Sequence, residues 1–444
     1  MLVRIASRTD ARPQTGTLRP YPLPAPDPRC LAFTGVSPPS AACRHLSHPS
    51  GLSGVALLPR TQLPPILPVT GPTVTAPDNK ETIMKFNLMV AFGALMLASP
   101  ALAQENVVNV YNWSDYIAED TVAKFEAETG IKVNYDVFDS NELVEAKLLA
   151  GSSGYDVVVP SGFFLERQVA AGLFLPFDKS KLPNLVNIDP EVAAATAVHD
   201  PDNAHSVDYM WGTTAIGYNV EKVKAALGDQ PIDTWDIVFK PELVSKLADC
   251  GVTLLDAPAE IMATALNYLG LDPNSESADD LKKAEELLLS IRPYVRYFNS
   301  SQYIDDLGNG EVCLSVGYSG DVFIARDAAS EAGAGVEVAY VIPKEGALKW
   351  FDLMAIPADA PNVENAYKFI DFMLRPDIAA ANTNYVFYAS GNKAALELID
   401  PAIKNDPAIY PTAEVSAKLF PLKAHTPDYD ELLTESWQRI KAGS

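Results

Sequence analysis

The sequence predicts an α/β protein built as two lobes, each a parallel sheet covered by helices. Three observations predict it: length, an uneven composition, and the alternation of short apolar runs with amphipathic stretches from residue 107 onward. A chain of 444 residues with 48% hydrophobic composition exceeds what one core holds, about 250–300 residues. Fifteen of the 35 prolines lie in residues 1–83, which carry 8 basic and 4 acidic residues. Residues 104–444 carry 25 basic and 53 acidic residues, a net of −28. Two different materials are joined end to end.

Residues 84–103 read MKFNLMVAFGALMLASPALA. A basic residue (Lys85), an apolar run over Leu88 to Ala98 and a small-x-small site at Ala101-Leu102-Ala103 form a secretory signal peptide cleaved after Ala103. The run is short for a membrane span. A signal peptide belongs at an N-terminus, so the reading is that translation starts at Met84 and residues 1–83, without strand or helix periodicity, are a non-native or disordered extension. Secretion implies an oxidising compartment, and beyond Ala103 only Cys250 and Cys313 remain. They are expected to form a disulfide, the alternative being two buried thiols.

The elements follow in order. VVNVY (107–111) is a short apolar strand. Ala118 to Glu128 places Val122 and Phe125 on one helical face and stops at Thr129-Gly130. IKVNYDVF (131–138) alternates with period two. A helix over Glu142 to Ala150 ends at Gly151, and YDVVVP (155–160) is a continuous apolar run suited to a strand buried on both faces. Beyond a polar stretch, HDPDNAH (199–205), which reads as a solvated turn, come a strand at 213–220, a helix over Lys240 to Ala248 and a strand at 252–255. Helices follow at 258–269 and 278–290, then strands at 312–316, 335–343 and 352–357, and a helix at 364–374 stopped by Arg375-Pro376. The β-α-β-α-β opening makes a parallel sheet the natural packing.

Ligands of open α/β sheets bind at the carboxyl ends of strands. The segments there are Asn112-Trp113-Ser114-Asp115-Tyr116, Ser161-Gly162-Phe163-Phe164, Asp256-Ala257-Pro258-Ala259-Glu260 and Gly317-Tyr318-Ser319-Gly320-Asp321, with Lys349-Trp350-Phe351-Asp352 beside a later strand. Most of them offer an aromatic ring, a carboxylate or both. Singly, such residues pack or cap helices. Together they suit an organic cation, because an ammonium leaves water only when carboxylates take up its protons and charge, and aromatic faces hold the cation or its alkyl chain.

The acidic excess argues against nucleic acid, which needs Lys and Arg. Enzyme signatures are missing. GYSGD ends in Asp321 where a nucleophile elbow has Gly. His199, His205 and His425 form no metal-ligand spacing, and no dinucleotide or phosphate-loop motif occurs. The competing reading is a secreted hydrolase with Glu260 and Asp321 as acid and base. A further alternative is the same fold around another organic cation.

The segments VYNWSDYIAEDTVAKFEAETGIKVNYDVFDSNE, DVVVPSGFFLERQ, DPDN with YMWGTTAIGYN, LLDAPAE, RYFNSSQYIDDLGNG, GYSGD and YVIPKEGALKWFDLMAIP resemble the periplasmic putrescine/spermidine-binding proteins over essentially all of 105–444. The resemblance implies a two-lobed periplasmic binding protein fold, type II-like, with hinge-crossing strands: lobe one over 104–211 plus 333–381, lobe two over 212–332 plus 382–444. It implies a periplasmic, monomeric, non-enzymatic capture protein without cofactor or metal, partnered by an inner-membrane ABC permease. The implied ligand set is Trp113, Ser114, Asp115, Tyr116, Ser161, Glu260, Tyr318, Asp321, Trp350, Asp352 and Tyr388. Asp115 and Asp352 would take one amine, and Glu260 and Asp321 the other. It also implies the Cys250–Cys313 disulfide. Trp350 and Phe163 are bulkier than in some members, which suggests that spermidine binds at least as well as putrescine.

Overall fold

Nine strands form one sheet in the computed structural model, which describes residues 106–443 apart from residue 334. The expectations for residues 1–83, for the leader over 84–103 and for cleavage after Ala103 lie outside the described residues. In chain order the strands are β1 (Val107–Trp113), β2 (Lys132–Phe138), β3 (Val157–Val158), β4 (Ser206–Asn219), β5 (Val252–Leu254), β6 (Val295–Phe298), β7 (Leu314–Tyr318), β8 (Val338–Val341) and β9 (Leu348–Ala355). Their lateral order is β2-β1-β3-β9-β4-β7-β5-β6, with β8 paired to β4.

The all-parallel expectation holds only at the two ends. β2-β1-β3 and β6-β5-β7 are parallel trios, each reached by helical crossovers, whereas β3-β9, β9-β4, β4-β7 and β4-β8 are antiparallel. β4 and β9 run side by side from Ser206–Ala355 to Thr214–Leu348, with a bulge between Asp208 and Met210. They join the two lobes, and both start earlier than the sequence predicts. β4 begins at Ser206, not 213, and β9 begins at Leu348, not 352. Both are buried on both faces nearly throughout, so neither shows the alternation by which a half-exposed strand is recognised.

The β1 side packs the helices Thr121–Thr129 and Val363–Met373 around Phe125, Phe369 and Phe372, whose rings meet edge to face. Gly130, at φ 68°, ends the first of these helices in the left-handed conformation that favours glycine. The other side buries Trp235, Leu247, Leu266 and Leu288; each such side chain stabilises by about 1.5–3 kcal/mol. The 240–248 stretch divides into the helix Pro241–Val244 and a 3₁₀ turn Ser245–Leu247. Cys250 and Cys313 are joined, which decides the question left open by their even count, and the bond ties the start of β5 to the neighbouring start of β7.

The HDPDNAH turn is less solvated than its polarity suggests. Pro201 and Asp202 are exposed, but His199 and Asp200 are buried. Asp200 accepts bonds from the His205 amide and the Ser206 hydroxyl and faces the His205 ring, and His199 faces Glu166. Tertiary partners satisfy these polar groups in place of water.

Candidate functional site

All eleven residues singled out from the sequence line one cavity between the two ends of the sheet, about 500 Å³ counting the space open to solvent. Trp113 ends β1, and its indole donates to the Val159 carbonyl at 2.9 Å. Ser114 and Asp115 form the turn that follows, with Asp115 exposed at φ 53°, a left-handed conformation Asp tolerates. Three of the eleven sit at helix starts. Ser161 precedes the helix Gly162–Ala170, Glu260 lies in the first turn of Pro258–Tyr268, and Asp321 in the first turn of Ser319–Ala332. Carboxylates are favoured there by the exposed amides. Trp350 and Asp352 lie within β9, not beside it, and their spacing of two residues puts them on one face.

Each buried carboxylate has dedicated donors. Asp352 accepts the Ser161 hydroxyl at 2.6 Å, and Ser161 is itself held by Asn141 through amide and hydroxyl at 2.9 and 3.0 Å. Glu260 accepts Thr214 at 2.8 Å and Tyr318 at 3.1 Å. Asp321 accepts Tyr303 at 2.7 Å and Tyr388 at 2.5 Å. Gly320 permits the last contact, because a Cβ there would lie 2.4 Å from the Tyr388 ring. The Tyr116 hydroxyl is buried opposite Asp352 without a hydrogen bond of ordinary geometry.

Burial raises all three acids, to about 7 for Glu260, about 7 for Asp352 and about 6 for Asp321, while the hydroxyl donors pull the other way. The acidic neighbour that further raises Asp352 is Glu260, and the one that further raises Asp321 is Asp115. Aromatic rings close the walls: Tyr318 meets Trp350 edge-on at 5.7 Å, Trp350 meets Tyr388 at 5.4 Å, and Tyr116 meets Tyr388 at 4.9 Å. No Lys, Arg or His is among the described residues lining the cavity.

Sequence reasoning missed Phe138, Asp139, Ser300, Ser301 and Ile304, which also line the cavity, and the supporting Tyr303 and Thr214. Phe138 and Asp139 were accessible to it, since they stand at the carboxyl end of β2. A second cavity shares Trp113, Asp139, Glu260, Ser300 and Tyr318 with the first and extends to Glu142, Phe163, Phe164 and Asp256.

Two α/β lobes joined by long shared strands, closing on an acid- and aromatic-lined cleft, define a solute-binding protein of the periplasmic type. The chain belongs to the bacterial extracellular solute-binding proteins, whose family model matches residues 120–412. It is 56% identical over 355 residues to the putrescine-binding periplasmic protein PotF of Escherichia coli K12, covering 79% of this chain and 96% of that protein. It is 52% identical over 366 residues to the putrescine-binding periplasmic protein SpuD of Pseudomonas aeruginosa UCBPP-PA14, covering 80% and 100%. Among solved structures, the spermidine/putrescine substrate-binding protein PotD of Streptococcus pneumoniae aligns with TM-score 0.63 at 30% identity, over 76% of this chain and 99% of that one.

Proposed function

We propose that this chain captures a short linear polyamine, putrescine or spermidine, and delivers it to an ABC permease. The observation that carries this reading is a cleft with three buried carboxyl groups, exposed Asp115 and Asp139, rings on its walls and no cationic side chain among the described residues of its lining. Burial raises these three acids to between about 6 and about 7, and an enclosed ammonium holds them ionised by supplying the missing charge. Asp115 and Asp352 serve one amine, Glu260 and Asp321 the other, and Trp113, Tyr116, Tyr318, Trp350 and Tyr388 sheathe the methylenes between. Names of the relatives, putrescine- and spermidine/putrescine-binding periplasmic proteins, support the ligand and a periplasmic location.

In the same reading the leader is removed after Ala103, the protein acts as a monomer without cofactor, metal or nucleic acid, and the lobes divide at 104–211 plus 333–381 and 212–332 plus 382–444. Hinge bending at β4 and β9 would bury the ligand. The hydrolase reading has no support: Glu260 and Asp321 each hold two hydroxyl donors, and the named relatives are binding proteins.

Titration calorimetry of residues 104–444, stripped of ligand by unfolding and refolding, against putrescine, cadaverine, spermidine and spermine tests this. One-to-one binding at micromolar affinity or tighter is expected, with spermidine at least as tight as putrescine because the second cavity continues past Glu260 towards Glu142 and Phe163. A spermidine affinity more than tenfold weaker would overturn the length preference. No heat with any of the four would overturn the ligand and leave the fold.

A further inference from the structure

The helix Gly162–Ala170 begins beside Ser161, inside the site, and runs outward on the β9 side of the sheet. Two adjacent residues near its far end reach the same remote segment. Arg167 holds Glu145 through two 2.6 Å bonds and gives its remaining Nη1 to Asp430, also at 2.6 Å. Glu166 accepts the backbone amide of Ala424 at 3.3 Å. Arg167 donates where its partner is acidic, and Glu166 accepts where its partner is an N–H.

The segment they grip belongs to the other half of the molecule. Asn274 bonds the Pro421 carbonyl and the Lys423 amide at 3.0 and 2.8 Å, and Glu276 takes the Thr426 amide at 2.7 Å. The helix Pro427–Ala442 that follows packs on Pro258–Tyr268 and Ala278–Ile291. Arg439 pairs there with Glu285, and Lys441 pairs with Asp256. Asp256 and Phe164 both line the second cavity, and the Arg167 guanidinium lies over the Phe164 ring, so the grip sits beside the cleft. Buried His199 beside Glu166 and half-buried His425 beside Asp430 flank it.

We propose that Glu166 and Arg167 form a closure latch with Ala424 and Asp430, setting how long the cleft stays shut without touching the ligand. A latch formed only in the closed state raises the closed fraction, and apparent affinity follows that fraction whatever the ligand. Arg167 and its partners are thus positioning residues. The inference rests on the proposed polyamine reading only for its choice of ligand.

The test uses residues 104–444 carrying Asp430→Asn, with dissociation of putrescine and spermidine followed by the fluorescence of Trp113 and Trp350. Dissociation of both amines is expected to quicken by the same factor, about three- to tenfold for a part-exposed pair, with their affinity ratio unchanged. Small-angle scattering of the stripped protein should show a larger radius of gyration in the variant. An unchanged dissociation rate in a folded variant, or a change confined to one amine, overturns the latch. Should D430N fail to fold, E166Q reads the same quantities with the Arg167 pair intact. Should the unsubstituted protein bind neither amine, the ligand reading falls and the scattering comparison alone decides the latch.

Discussion

Ser161 and Asp352, 191 positions apart, meet through a 2.6 Å hydrogen bond and an antiparallel bridge. That contact joins the start of the helix Gly162–Ala170 to the hinge strand β9 at the point where the cleft holds an acid near neutrality.

The two partners predict unequal losses. Asp352→Asn removes a charge that an enclosed ammonium needs, and leaving a buried charge uncompensated costs about 3–5 kcal/mol, so affinity should fall at least about a hundredfold. Ser161→Ala removes one donor, worth about 1 kcal/mol, and should cost about tenfold or less. Calorimetry of both variants checks this, and equal losses would contradict it.

Binding should depend on pH in a definite direction. Asp321 near 6 and Glu260 and Asp352 near 7 are raised chiefly by burial, and the dication binds their ionised forms. Affinity is expected to fall as pH drops from 7.5 to 5.5. Near pH 7 binding should release protons, so that the measured heat varies with the ionisation enthalpy of the buffer. A buffer-independent heat would show the acids already ionised.

The stripped protein should show the opposite trend in stability. Asp208, buried on β4 with both side-chain oxygens lacking a hydrogen-bond partner, is raised by burial to about 8. Together with the three cleft acids it has a folded pKa above its unfolded value. In the folded state these groups bind more protons between about pH 4 and pH 8, so stability decreases as pH rises through that window. His199, lowered by burial, is one group working the other way. A lower Tm at pH 8 than at pH 5.5 is expected without ligand, with the gap narrowed by saturating polyamine. Asp208→Asn should raise the pH 8 value.

Reducing Cys250–Cys313 releases a closure spanning 63 positions, whose loss costs about 4 kcal/mol on chain-entropy grounds. Denaturant unfolding with and without reductant should show a shift of that order. Polyamine affinity should change little, since neither cysteine lines the cavity.

β6 and the helices Gly162–Ala170, Ser319–Ala332 and Pro427–Ala442 went unread; the sequence by itself determined other local facts: the parallel β2-β1-β3 opening, helices such as Thr121–Thr129, Ala278–Ile291 and Val363–Met373, and which rings and carboxylates stand at strand ends. These follow from periodicity, capping and strand-end position, all readable over a few residues. Only the tertiary structure decided the rest. β4 and β9 are buried on both faces and so lack the alternation that marks a strand's length. The gathering of Glu260, Asp321 and Asp352 into one cavity depends on the packing of distant segments, and Tyr303, Thr214 and Asn141 matter as donors to groups far away in the chain. The Arg167–Asp430 contact joins residues 263 positions apart. Charge and hydrogen bonding act through space, and separation along the chain carries no record of them.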